Sequence, residues 1–160
     1  MTGGGSSIPE VQRLLAVLAA GRRCAEAGTA FGDGAAAIAI TAASLVTVEL
    51  DEERAVIALE RLRGFANVEL VVGDWREELP PRGPFDLVFL DGGGWKHDPF
   101  GKGPLGVELL APGGLLVADD MTRGRPLSDP VRRFVFEHPE LVATELTVAP
   151  QMAVLLAARR

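Results

Sequence analysis

The amino-acid sequence predicts a three-layer α/β fold on a seven-stranded mixed sheet, with five parallel strands and a C-terminal antiparallel hairpin. Three observations lead there. Short apolar runs with little polar alternation recur along the chain, as strands covered on both faces should. Helical stretches separate them, and repeated strand and helix units of this length imply parallel strands with right-handed crossovers. The last two runs, Leu141 to Val148 and Met152 to Ala158, are joined only by Ala149-Pro150-Gln151, which permits a hairpin and forbids a crossover.

The elements follow in order. Residues Met1 to Ser7 (MTGGGSS) carry no apolar content to offset the entropy of ordering, so a mobile tail is expected, with one domain over 8–160. Pro9 suits the first turn of a helix, where its missing N–H has no partner anyway, and that helix runs to Ala20 before Gly21. Strands are expected at Arg23 to Ala27, Leu45 to Leu50, Val68 to Val72, Phe85 to Asp91 and Gly114 to Asp119. Helices are expected at Gly34 to Ala43, Asp51 to Arg63, Gly103 to Leu110 and Asp129 to Glu137, with a short turn at Trp75 to Leu79.

Composition narrows the function classes. A chain of 160 residues, 48% apolar and 24% charged, is globular and has room for one site. Its formal charge of −6 opposes a broad phosphate-binding surface, so nucleic acid is not expected as a partner. The single cysteine, Cys24, lies in an apolar strand and reads as a buried thiol in a reducing compartment. Leu14 to Ala20 has the look of a signal-peptide core, but Pro9 and Glu10 precede it and a strand follows with no cleavage segment. The longest uncharged stretch, Gly34 to Val48, is shorter than the roughly 20 apolar residues of a membrane span. A cytoplasmic protein with no membrane contact is expected.

Ligands of open parallel sheets bind beyond the carboxyl ends of the strands. Here those ends carry Glu26, Glu49, Asp74, Asp91 and the pair Asp119 and Asp120. A lone acid at such a place is commonly a helix cap, but acids at all five ends point to a shared site. The first turn admits two phasings. Gly32-Asp33-Gly34-Ala35-Ala36-Ala37 fits G-x-G-x-x-A, with Glu49 downstream as a ribose-binding acid, which reads as an NAD-dependent oxidoreductase. That phasing buries Glu26 and Gly28 within a strand. The other ends the strand at Ala27 and makes Gly28 to Gly32 the ligand loop, with Glu26 projecting toward the site.

In the second phasing, Glu26-x-Gly28-x-x-x-Gly32, VTVELD with Glu49, VVGDW with Asp74, FDLVFLDGG with Asp91 and LLAPGGLLVADD with Asp119 and Asp120 form a series. Together they resemble the class I S-adenosylmethionine-dependent methyltransferases, whose fold is a Rossmann-like sandwich. They look most like the small cation-dependent O-methyltransferases that include the catechol and caffeoyl-coenzyme A enzymes. The likeness runs from Ile8 to the final hairpin, but the family's additional N-terminal helices are lacking, which leaves the site open or closed by a second subunit as a homodimer.

The resemblance implies a set of roles. Glu49 accepts both ribose hydroxyls, Leu50 lines the adenine, Asp74 after Gly73 accepts the adenine amino group, and Trp75 packs on the base. Glu26, Ala27 and the backbone of Gly28, Thr29, Ala30, Phe31 and Gly32 surround the methionine part, with Asp91 close by. Such a ring of carboxylates favours a sulfonium cation and repels a pyrophosphate, which supports the methyl donor over NAD. Mg²⁺ or another divalent cation is expected at Asp91, Asp119 and Asp120, the last standing where the family has an asparagine. The cation orients a small hydroxylated acceptor and lowers its pKa. The family's lysine falls three positions after the strand-four aspartate, where this chain has Gly94; Lys96, two further on, is the candidate base and His97 the second. Trp95 either walls a flat acceptor or anchors this loop. Arg132 and Arg133 fall on a helix and need no function. A non-catalytic subunit that binds S-adenosylmethionine is the remaining alternative.

Overall fold

The computed structural model describes residues 7–160. Along the chain run α1 (Pro9–Leu18), β1 (Arg23–Ala27), α2 (Asp33–Ala39), β2 (Ser44–Glu49), α3 (Glu52–Leu62), β3 (Val68–Val72) and α4 (Trp75–Glu78). Then come β4 (Phe85–Leu90), α5 (Pro99–Glu108), β5 (Leu110–Thr122), α6 (Pro130–Glu137), β6 (Leu141–Ala149) and β7 (Met152–Arg159). All seven strands form one sheet in the order β3-β2-β1-β4-β5-β7-β6. The first five are parallel, and β7 pairs antiparallel with both β5 and β6.

Alternation along the strands divides the core in two. Cys24, Leu45, Leu87 and Phe89 face one side and pack with Val11 and Leu15 of α1, Ala35 and Ile38 of α2 and Leu62 of α3. Ala25, Ala27, Val88 and Leu90 face the other side, against Trp75 of α4, Val107 of α5 and Phe134 of α6. Burying each such Leu or Phe side chain is worth ~1.5–3 kcal/mol, so the two apolar layers dominate the fold's stability. Aspartates start four of the helices: Asp51, Asp74, Asp98 and Asp129 accept from the backbone N–H groups of Arg54, Arg76, Gly101 and Arg132.

Several boundaries differ from expectation. Helix α1 stops at Leu18, before Ala20, and α2 stops at Ala39, before Ala43. Helix α5 starts four residues before Gly103, because Asp98 caps it and Pro99 takes the first position. Strand β5 starts at Leu110, opposite Phe85, and continues to Thr122 because β7 pairs that far. Its ladder to β7 is interrupted between Ala118 and Met121, so Asp119 and Asp120 occupy a bulge, with Asp120 at φ +59°. Ser7, expected in the mobile tail, is packed at 7% exposure, and its carbonyl accepts from Gln12 Nε2. The rest of that tail, residues 1–6, lies outside the described residues. Among the described residues, no helix is long and apolar enough to cross a membrane.

Candidate active site

A cavity of about 930 Å³ opens over the carboxyl ends of the parallel strands. Its floor is set by two loops that meet backbone to backbone. Gly28, at φ +93°, lies so near Gly92 that a Cβ would stand 2.6 Å from the Gly92 Cα, and the Gly92 N–H donates to Ala27 O at 2.8 Å. Only glycine fits both that conformation and that gap. Ala30 then adopts φ +48° and donates its N–H to Glu49 Oε2 at 2.7 Å. The other Glu49 oxygen accepts the Asp51 N–H at 3.0 Å. Glu49 is therefore a carboxylate fixed by backbone at the tip of β2, with lone pairs left for a diol on the cavity side.

At one end of the cavity, Asp74 caps α4 and also receives the Arg76 guanidinium, with Nε 3.0 and 3.1 Å from its two oxygens. That hydrogen-bonded guanidinium holds the Asp74 carboxyl below its ordinary range, burial partly opposing it. Trp75 lies beneath, its indole N–H 3.4 Å from Gly93 O. Gly93, at φ +72°, touches the Trp75 indole so closely that no Cβ could stand between them. Gly93 thus packs directly against the ring.

At the other end, Asp91, Lys96, His97 and Asp120 line the wall. Lys96 Nζ lies 3.8 Å from Asp91 Oδ1 and 3.7 Å from Asp120 Oδ2. Burial pushes the Asp91 carboxyl up to about 7, the Lys96 charge opposing and the Asp120 and Asp119 charges adding. Trp95 is buried and donates its indole N–H to Leu90 O at 2.9 Å, edge-on to Phe134. Of its two expected uses, it anchors the loop.

Of the cofactor residues expected from sequence, Gly28, Ala30, Glu49, Leu50, Gly73, Asp74, Trp75 and Asp91 line the cavity, while Glu26, Ala27, Thr29, Phe31 and Gly32 do not. Glu26 stands across from Thr47 and Phe89 in the ladder and so faces the α2 side of the sheet. It is 1% exposed, accepts the Thr47 hydroxyl at 2.5 Å and fills the space left by the bare Cα of Gly34. Burial drives its carboxyl well above the ordinary range, Thr47 partly offsetting this and the Asp91 and Glu49 charges reinforcing it. Thr29 is buried against Thr47, hydroxyl to hydroxyl at 2.6 Å. Phe31 lies under the Arg54 guanidinium.

The cavity brings together Glu49, Leu50, Asp74, Trp75 and Asp91, all of them residues expected around S-adenosylmethionine. The expected cation set is not assembled. Asp119 is 1% exposed and outside the cavity, its Oδ1 accepting the Asp120 N–H at 2.6 Å. Its Oδ2 has no hydrogen-bond partner among the described residues, though the Ser7 hydroxyl is near enough to ease the burial that raises the Asp119 carboxyl. Among the described residues, no group of three His, Cys, Asp or Glu side chains is arranged to hold a metal ion. An ammonium stands between the two carboxylates that remain.

Sequence reasoning missed Arg54, Arg76 and Lys102, which bring positive charge to the cavity wall. Lys102 was out of view because α5 was expected to begin one residue after it. Arg132 was read as needing no function, yet it is 1% exposed and clamped by both oxygens of Glu145, by Asp129 and by Thr122 O. It ties α6 to β6 and to the end of β5 beyond the Asp120 bulge.

The strand order reverses between the parallel neighbours β1 and β4, the place where open α/β sheets bind their ligands, and a carboxylate fixed by backbone N–H groups stands beside it at the tip of β2. The chain belongs to the methyltransferase domain family, whose model matches residues 25–121. The structure of cofactor-bound Rv0187 from MTB is similar, at 28% identity and TM-score 0.81, over 97% of this chain and 82% of that one. So is the O-methyltransferase TomG of Streptomyces achromogenes, involved in tomaymycin synthesis and solved with SAM, at 28% identity and TM-score 0.78, over 99% of this chain and 83% of that one. A curated relative, the protein-L-isoaspartate O-methyltransferase of Azorhizobium caulinodans, is 32% identical over 131 residues, 76% of this chain and 54% of its own. The chain thus spans about half the length of that relative.

Proposed function

We propose that the chain transfers a methyl group from S-adenosylmethionine to an oxygen of a small hydroxylated acceptor. The observation that carries this reading is Glu49, locked by the Ala30 and Asp51 N–H groups and facing the same cavity as Asp91, Lys96 and His97. When bound, the cofactor supplies an electrophilic methyl group on a sulfonium. Glu49 accepts its ribose hydroxyls, Trp75 and Leu50 flank its base, and Asp74 accepts the adenine amino group. Asp91 faces the sulfonium charge. The acceptor lies beside Lys96 and His97, and holding its oxygen in line with the S–CH₃ bond supplies much of the rate enhancement.

Proton removal from the acceptor falls to His97. Lys96, first choice from sequence, is turned to Asp91 and Asp120, whereas His97 faces the cavity with no carboxylate partner within ion-pair distance among the described residues. Imidazole is the commonest group for such a step. The dinucleotide alternative lacks support: Gly32, the first glycine of its fingerprint, is the N-cap of α2 and does not line the cavity. A small acceptor is favoured over nucleic acid by the net charge of −6. A homodimer through the apolar face of α1 is not favoured, since Val11 and Leu15 of that face are already buried in the core.

Thermal shift with S-adenosylhomocysteine and with NAD tests the cofactor assignment. S-adenosylhomocysteine should raise the melting temperature of the wild type and leave Glu49→Gln unmoved, because an amide cannot accept two N–H groups and a diol at once. A rise with NAD alone would sink the proposal.

A further inference from the structure

We propose that the Lys96 ammonium takes the place of the divalent cation that the resemblance implies, so that this chain moves the methyl group with no metal ion in its site. The inference rests on the proposed methyl transfer. Its ground is the geometry of the three aspartates, two of which flank an ammonium while the third is turned inward.

Lys96 Nζ is 3.8 Å from Asp91 Oδ1 and 3.7 Å from Asp120 Oδ2, between the two carboxylates a cation would bridge. A hard divalent ion asks for about six oxygen ligands in close contact and tolerates no ammonium among them. Asp119, the third expected ligand, spends one oxygen on the Asp120 N–H and lies outside the cavity. The displacement of Lys96 in sequence is undone in space by the loop that carries it. Gly93 and Gly94 both take positive φ, +72° and +69°, and Trp95 pins the loop through Leu90 O, so the chain turns back and returns Lys96 to the carboxylate pair. Both distances exceed hydrogen-bond length, so the ammonium keeps donors for an acceptor oxygen. One positive charge held there stabilises the oxygen anion that forms as the proton leaves, which is the electrostatic part of a metal's work.

The test uses the full chain, dialysed against EDTA, titrated with MnCl₂ alone and followed by calorimetry and by the Mn²⁺ electron paramagnetic resonance signal. Wild type should show no stoichiometric site. Lys96→Met should bind one Mn²⁺ per chain at least ~tenfold tighter, a readily resolved step in affinity. Adding Asp120→Asn to that variant should abolish the gain. Lys96→Gln repeats the measurement should the methionine variant not fold. A stoichiometric Mn²⁺ site in wild type, or no gain in Mn²⁺ affinity in both Lys96→Met and Lys96→Gln, would overturn the proposal. The melting-temperature rise with S-adenosylhomocysteine is measured in the same samples. Its loss in wild type would strike the cofactor assignment, while its persistence with a wild-type Mn²⁺ site would strike the lysine alone.

Discussion

Replacing Asp91 by asparagine should make the protein more stable at neutral and alkaline pH while it removes the charge that faces the sulfonium. Burial lifts this carboxyl from 3.8 to about 7, even with Lys96 opposing. The folded chain therefore binds the Asp91 proton more tightly than the unfolded chain does. Its contribution to stability is fully present below pH 3.8 and is lost as pH rises through about 7. Ionising it in the folded state costs about 4 kcal/mol, an upper bound of the right order. Asparagine cannot ionise, so the stability difference between variant and wild type should shift in favour of the variant by up to that amount between pH 4 and pH 8. For a chain of this size the shift amounts to roughly 10 °C in melting temperature. Urea unfolding of both proteins at half-unit pH steps measures it, and the other buried acids largely cancel in the comparison. Two stability curves that stay parallel across this range would refute the reasoning.

Gly28→Ala places a Cβ 2.6 Å from the Gly92 Cα at φ +93° and should cost roughly 2 kcal/mol or more, with loss of the thermal shift by S-adenosylhomocysteine. Arg132→Met leaves Glu145 and Asp129 without their partner and should cost about 3–5 kcal/mol in urea unfolding. Adding Glu145→Leu should recover part of that loss, a coupling that a double-mutant cycle reads directly. Trp95→Phe removes the hydrogen bond to Leu90 O and should cost ~1–3 kcal/mol, with turnover falling more than S-adenosylhomocysteine affinity because the loop carrying Lys96 and His97 loosens.

The parallel sheet was legible in the chain because strands covered on both faces must be apolar runs, and Arg23–Ala27 and Val68–Val72 appear at their expected bounds. The start of α5 was not legible. The expected helix began at Gly103, whereas the Asp98 cap and Pro99 start it one turn earlier; a Cβ at Gly103 would stand 2.6 Å from the Phe134 ring, so a residue that weakens the helix is the one that lets α6 approach. Sequence likewise placed an acid at every strand tip, but its expectation that Glu26 projects toward the site does not hold. Glu26 and Glu49 end neighbouring strands, and one is sealed beneath α2 while the other lines the cavity. Pairing with β7 made the bulge that parts Asp119 from Asp120, and the left-handed turn at Gly93 and Gly94 returned Lys96 to the carboxylates. Local pattern determines which residues can form a strand, a cap or a turn. Where a side chain at the end of that strand points, and what charge meets it there, is set by contacts between segments far apart in the chain, and only their packing decides it.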